Sequence, residues 1–490
     1  MQASPADSAT LPPQQSQPDK LARAGDSPRG RDGIPWWLWV LVGALFFTYM
    51  TLSLRIHQRL LSNAFDLGIF EQVIRSYADG HLPVSEVKGP DYPVLGDHFH
   101  PVLALVAPFY RLWPSPQVLL VVQAALIAAS VLPLALWARR ALGSGAAAVI
   151  GTCYGLSWGL ANAAGFDFHE VAFAVPLLAC SLAALGSDRL RAAAFWALPL
   201  LLVKEDLGLT VAVIGFLIAR RGDRKLGIAT AAAGLVGTAL AMLVILPAFN
   251  PQGSYAYTHW LTGPEGGAES GPLDLLYKAT IGLITPEAKV TTLLFLLAPT
   301  LFLALRSPLL WVALPTLAWR FASGLWTHWG TSYHYSVVLM PIVFAAFIDA
   351  LIRRQSSTVS LRRYLVGSAA ITALLLPQFP LWQLAKPETW RTDPRIAVAH
   401  KLMDRIPDGA TVQASNQLVP QLTDRTSASL YGWADSRPDP EWIMVDTEVP
   451  QQRRWPLSPG EERISLDHAL TQGYRTAAEQ DGFVLLTRSG

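Results

Sequence analysis

The chain has 490 residues, of which 51% are hydrophobic and 15% charged, with a net charge of +2 and a mean hydropathy of +0.31. A soluble domain carries about 25% charged residues, so an ordinary soluble globular protein is excluded. The near-balanced charge, without a basic run, gives no support to a nucleic-acid partner.

Residues 1–32 are rich in Ser, Pro, Gln, Asp and Arg and lack apolar periodicity, which predicts a disordered tail. The tail is too long and polar for the short basic start of a cleaved signal peptide, so the apolar block that begins near Trp36 reads as a retained helix. Apolar blocks of roughly 17–23 residues then recur, the length a helix needs to cross the hydrocarbon core. They predict spans near 35–54, 115–138, 145–163, 170–187, 191–204, 207–220, 226–247, 289–305, 308–324, 335–352 and 364–383. The expected fold is therefore an α-helical polytopic membrane protein of about eleven transmembrane helices over 33–384.

Arg23, Arg29 and Arg31 precede the first block, which places the N-terminus in the cytoplasm. Every second loop is then basic, through Arg139-Arg140, Arg189 with Arg191, Arg220-Arg221, Arg306, and Arg353-Arg354. The long first outer loop, 55–114, holds an amphipathic stretch from Phe65 to Ile74 that reads as a helix lying along the membrane surface. Pro101–Trp113 is too short to cross and reads as interfacial or re-entrant. A second long outer loop spans 248–288, with Tyr255, Tyr257, His259 and Trp260. Residues 385–490 have the composition of a small extracytoplasmic α/β domain. Its expected helix is Ile396–Ile406, and its expected strands are at 411–414, 442–445 and 483–486. Cys153 and Cys180 lie inside apolar blocks and read as packing residues.

The chemistry-bearing clusters all fall on the outer side. They are Asp66, Gly96-Asp97-His98-Phe99-His100, Phe166-Asp167-Phe168-His169-Glu170, Lys204-Glu205-Asp206, and the stretch Trp326–Tyr335 with His328, His334 and Tyr335. Ionisable groups at membrane depth are costly and mark functional sites. Asp66 fits either a general base or an N-cap of the helix after it. Lys204 between apolar blocks fits a phosphate-binding point charge or a hairpin tip at the lipid headgroups. His98, His100, His169 and Glu170 have spacings that also suit a divalent metal ion or helix-end hydrogen bonding. Lys204, Glu205, Asp206, His334, Tyr335 and Glu71 are the substrate-binding candidates.

Taken in order, Phe65-Asp66-Leu67-Gly68-Ile69-Phe70-Glu71-Gln72, Gly96-Asp97-His98-Phe99-His100-Pro101, Phe168-His169-Glu170 and Lys204-Glu205-Asp206-Leu207-Gly208-Leu209 resemble the bacterial membrane proteins grouped as domain of unknown function 2079. That family is similar to the GT-C glycosyltransferases, multi-helix enzymes that take sugars from polyprenyl-phosphate carriers at an outward-facing site. The resemblance implies Asp66 as the acidic residue of the first outer loop that serves as the base or as a metal-binding group, Asp97 as its possible acidic partner, and Lys204 at the donor phosphate. It further implies a polyprenyl-phosphate-sugar donor, a glycan, lipid or protein acceptor, and residence in the bacterial cell membrane. Two other functions fit the same features. One is a transporter or flippase for a lipid-linked substrate, and the other is a non-catalytic envelope assembly or sensor protein working through 385–490.

Overall fold

The computed structural model describes residues 33–255, 257, 280–354 and 358–488. The expected tail 1–32 and the greater part of the 248–288 loop, with His259 and Trp260, lie outside the described residues.

Helices form where the apolar blocks predict them. The first half contains α1 (Trp36–Gln58), α2 (Ile69–Ala78), α3 (Gln117–Leu142), α4 (Ser144–Gly155), α5 (Trp158–Ala164) and α6 (Ala174–Gly186). Next come α7 (Leu190–Ala197), α8 (Leu207–Arg220) and α9 (Arg224–Leu240). Beyond the second loop lie α10 (Glu287–Leu297), α11 (Leu314–Ala322), α12 (Leu339–Arg353) and α13 (Thr358–Leu375). Among the described residues, four helical stretches are long and apolar enough to cross a membrane by themselves: Trp36–Gln58, Gln117–Leu142, Arg224–Phe249 and Val359–Gln378.

Several expected spans are interrupted, and proline accounts for the breaks. Pro199, Pro299 and Pro377 each sit in a 3-10 turn at a helix end, because proline removes a helix donor and clashes with the preceding turn. The expected helix 289–305 stops at Thr300, and Leu301 and Phe302 then adopt left-handed backbone, φ 51° and 59°. α8 and α9 approach backbone to backbone. A Cβ on Gly208 would lie 2.4 Å from the Gly234 carbonyl oxygen, and one on Gly215 2.4 Å from the Ala231 nitrogen. Small residues at such a seam let packing and carbonyl contacts replace bulk.

The C-terminal part begins with α14 (Pro394–Met403), capped by the Asp393 carboxylate, and contains one later helix, α15 (Pro459–Thr471), closed by a Ser458/Glu461 capping box. After a short hairpin in the first loop (β1, Val84–Ser85; β2, Tyr92–Pro93), the strands here are β3 (Thr411–Ala414), β4 (Ser427–Leu430), β5 (Trp442–Asp446), β6 (Tyr474–Gln480) and β7 (Phe483–Arg488). They form one sheet in the order β4-β3-β5-β7-β6. The first three strands are parallel and the last two antiparallel. β4 and β6, which the sequence reading misses, are the two edges. Both are polar or small-residue segments without the β-branched signature of a buried strand.

This sheet domain does not have its core to itself. Leu67, Val73, Ile74 and Val87 of the first loop pack in one cluster with Leu402, Val412, Leu418, Val419 and Leu422. Burying each such aliphatic side chain contributes about 1.5–3 kcal/mol. The expectation of a surface helix at 65–74 is corrected here: every residue from Ile69 to Ile74 is buried, because the sheet domain covers the face that would meet the membrane. A bidentate pair between Arg437 and Glu86, 2.8 Å at both contacts, fastens the same joint.

Candidate functional site

Asp66 lies in a π-helical turn, Ala64–Gly68, between α1 and α2. The turn is held from two sides. The Asp167 carboxylate accepts both the Asn63 backbone N–H and its side-chain amide at 2.9 Å. From the sheet domain, the Asn416 side chain accepts the Ala64 N–H at 2.9 Å and donates to the Asn63 side-chain oxygen at 3.1 Å. Gly68 completes the fit, since a Cβ there would stand 3.3 Å from Val419. No side chain caps α2, so the N-cap alternative for Asp66 is not realised.

The Asp66 Oδ1 atom is 3.1 Å from His169 Nε2. His169 is positioned by its neighbours. Its backbone N–H donates to Gln123 Oε1 at 3.0 Å, and its Nδ1 lies 3.1 Å from the Asp167 carbonyl oxygen. A carbonyl only accepts, so Nδ1 carries a proton, and the Asp66–His169 contact holds a second one between carboxylate and imidazole. Burial works against the charged imidazole, yet the adjacent Asp66 carboxylate outweighs it and holds His169 above its ordinary range. Gln123 also donates to the Ala163 and Asp167 carbonyls, which fastens the loop after α5 to α3.

The His334 ring stacks on His169 with centroids 3.5 Å apart, and Tyr335 packs against His334 at 4.3 Å. The loop that carries them is secured by Arg320 of α11. This fully buried guanidinium donates to the carbonyls of His328, Gly330 and Tyr335 and to the Ser336 hydroxyl.

The remaining candidates form adjoining pairs. Lys204 Nζ is 2.7 Å from Glu170 Oε1. Glu205 receives His98 Nδ1 at 2.8 Å and the Phe99 N–H at 3.1 Å, so it pins the Asp97–His100 stretch to the start of α8. Asp97 pairs with Lys88 at 3.2 Å and accepts from the Tyr257 hydroxyl at 2.6 Å. Burial penalises its charge, but His98 and Lys88 outweigh that and hold its carboxyl below the usual range. Lys88 and Tyr257 thus engage Asp97, and the residue in contact with Asp66 is His169. Glu71 also stands apart. It is fully buried, accepts from the Tyr110 hydroxyl, and burial pushes its carboxyl up to about 7. Its place is the joint between the first loop and the sheet domain. Asp206 Oδ1 and His100 Nδ1 are buried without a hydrogen-bond partner among the described residues.

His98, His100, His169 and Glu170 do not converge as a donor set. Three of them are engaged in separate pairs with Glu205, Asp66 and Lys204, and among the described residues no group of three or more His, Cys, Asp or Glu is arranged to hold a metal ion. The described residues do not fit a resident metal.

The carboxylates differ in access. The Asp66 side chain is 24% exposed. Those of Asp97, Glu170 and Glu205 are 7%, 2% and 2% exposed. Only the Asp66 carboxylate in this set combines a fixed partner with an open side. The positioning residues Asn63, Gln123, Arg320 and Asn416 are absent from the sequence-based candidates. Gln123 and Arg320 did carry a signal, as isolated polar residues inside apolar blocks.

These motifs can be compared with known proteins. The family model described as "Predicted membrane protein (DUF2079)" matches residues 56–485. The chain belongs to the DUF2079 family. No curated relative matches it. Among solved structures, ArnT from Cupriavidus metallidurans bound to undecaprenyl phosphate aligns with a TM-score of 0.54 at 15% identity, covering 93% of this chain and 98% of that one. The apo state of the same protein aligns at 0.51 and 13% identity, covering 92% and 97%. At this identity the likeness is one of fold. This DUF2079 chain has a fold like that of ArnT, in a family described as predicted membrane proteins.

Proposed function

We propose that this DUF2079 protein is a membrane glycosyltransferase that moves a sugar from a polyprenyl-phosphate donor to an extracytoplasmic acceptor. The observation that carries the reading is the Asp66–His169 pair, a partly open carboxylate backed by a buried imidazole, in a fold like that of a protein solved with undecaprenyl phosphate. The acceptor hydroxyl oxygen bonds to the anomeric carbon as the bond from that carbon to the phosphate oxygen breaks. The hydroxyl proton passes to Asp66, and the phosphate leaves on its lipid. His169 aims the carboxylate and counters its charge between turnovers. Lys204 would meet the phosphate only by sharing its charge with Glu170.

The sidedness of the site supports an outward orientation. Arg221 bonds to Asp188 at 2.8 Å and lies 3.8 Å from Asp349, so three loop-end segments meet at the end of the bundle opposite the Asp66 cluster. Basic loops favour the cytoplasm, which supports a reading with Asp66 and the sheet domain outside and the N-terminus inside. In this reading about eleven spans compose the bundle. The test is transfer of labelled sugar from a panel of polyprenyl-phosphate sugars by the protein reconstituted in liposomes. Release of lipid phosphate coupled to glycosylated product supports the proposal. Uptake or flipping of the intact donor without product contradicts it.

A further inference from the structure

A cavity of about 270 Å³ lies between the end of α1, the start of α3 and α14. Arg55, Arg59, Arg391, His57 and His400 line it, together with three glutamines, a threonine and an isoleucine. Among the described residues that line it there is no carboxylate. Arg59 and Arg391 make no ion pair with any described residue, and Arg55 donates only to the Thr389 carbonyl and the Gln58 side chain. Arg59 also borders a neighbouring cavity with Asp393 and Asp446, but no acid lines the space that the three arginines share, and like charges gathered there repel one another. They are stabilised together when an anion fills that space, and their planar donors suit phosphate oxygens.

The surroundings identify the source of the phosphate. Apolar side chains close in sequence to the lining residues protrude from the protein. Leu112 is 86% and Trp113 45% exposed, just before α3, and Trp390, next to Arg391, is 52% exposed. Exposed tryptophan beside the end of a membrane-length helix marks the level of the lipid headgroups. A basic pocket at that level recognises anionic headgroups. Gln421 of the sheet domain donates across the cavity wall to the His57 carbonyl at 3.0 Å, so an occupant would brace the joint between α1 and that domain.

We infer that this cavity binds the phosphate of an anionic membrane lipid, at a site separate from the Asp66 cluster. None of its lining residues belongs to that cluster, and the inference does not depend on glycosyl transfer. The experiment uses the full chain in a nonionic detergent and follows lipid adducts by native mass spectrometry, with unfolding temperature as a second readout. Phosphatidylglycerol, phosphatidylcholine and inorganic phosphate are compared on the wild type and on the Arg59→Gln/Arg391→Gln double variant. The expected result is retention of phosphatidylglycerol over phosphatidylcholine and a raised unfolding temperature. The variant should bind phosphatidylglycerol roughly tenfold or more weakly, the loss that follows from removing a charged hydrogen bond. His400→Gln, at an exposed position, gives the same direction of change if the double variant does not insert. Equal retention of the two lipids, or equal binding by wild type and variants, overturns the site. A stabilisation that inorganic phosphate reproduces while phosphatidylglycerol gives none overturns the lipid as its source.

Discussion

His169 presents Nε2 to Asp66 Oδ1 at 3.1 Å although the two residues are 103 positions apart in the chain. The contact predicts a pH-dependent stability. Because the folded pKa of His169 is raised above 6.5, the pair's contribution is fully present below the unfolded pKa and is lost as pH rises through the folded one. His169→Asn is therefore expected to lower the unfolding temperature more on the acid side of 6.5 than at alkaline pH, as scanning fluorimetry across pH will read. A constant difference would contradict a shared proton.

Glu71 predicts the opposite outcome for a substitution. Burial raises its pKa from 4.5 to about 7, so its ionisation costs native stability as pH rises through that window. Glu71→Gln keeps an acceptor for the Tyr110 hydroxyl and removes the ionisation. The variant should match the wild type near pH 5 and be the more stable of the two above pH 7, in the same fluorimetric assay.

Asn416 links the sheet domain to the turn that carries Asp66. Asn416→Ala leaves the Ala64 N–H and the Asn63 side chain without these partners, a loss of about 1–3 kcal/mol. Sugar transfer should fall mainly in kcat, with little change in KM for the lipid donor. Asn416→Asp keeps the acceptor for Ala64 and should recover part of the rate. A variant that loses stability but not kcat would assign Asn416 to the joint alone.

The seam between α8 and α9 places Lys204-Glu205-Asp206. Gly208→Ala puts a Cβ into the Thr238 hydroxyl and the Gly234 carbonyl. It should destabilise the protein by about 1–3 kcal/mol, the usual cost of overpacking, and weaken the hold of Glu205 on His98 and Phe99. Loss of protection from hydrogen exchange at 98–100 is the local readout.

The bundle was legible because lipid demands long apolar stretches, and α1, α3, α9 and α13 lie where those stretches stand. The breaks at Leu301-Phe302 and near Pro199 were not, since an apolar count ignores where a helix loses its donors. Four motif regions identified the ends of helices that meet. They did not show which residues pair, because the α3–α6 packing that brings His169 to Asp66 leaves no periodic mark in the sequence. Asp97 looked like a partner by its motif, and Lys88 and Tyr257 claim it. Glu71 looked available because it stands in an amphipathic stretch expected to lie along the membrane surface, yet the distant sheet domain buries it. Asn416 was invisible for the same reason: its partners, Asn63 and Ala64, are more than 350 residues away.

In the proposed transfer Asp66 takes the acceptor proton. The most direct test of that step is the rate of sugar transfer from a polyprenyl-phosphate donor in liposomes, measured for the wild type and for Asp66→Asn at matched insertion. General-base removal costs roughly 100- to 10,000-fold, so kcat should fall by that much with the fold intact. Transfer by Asp66→Asn at the wild-type rate would contradict that role.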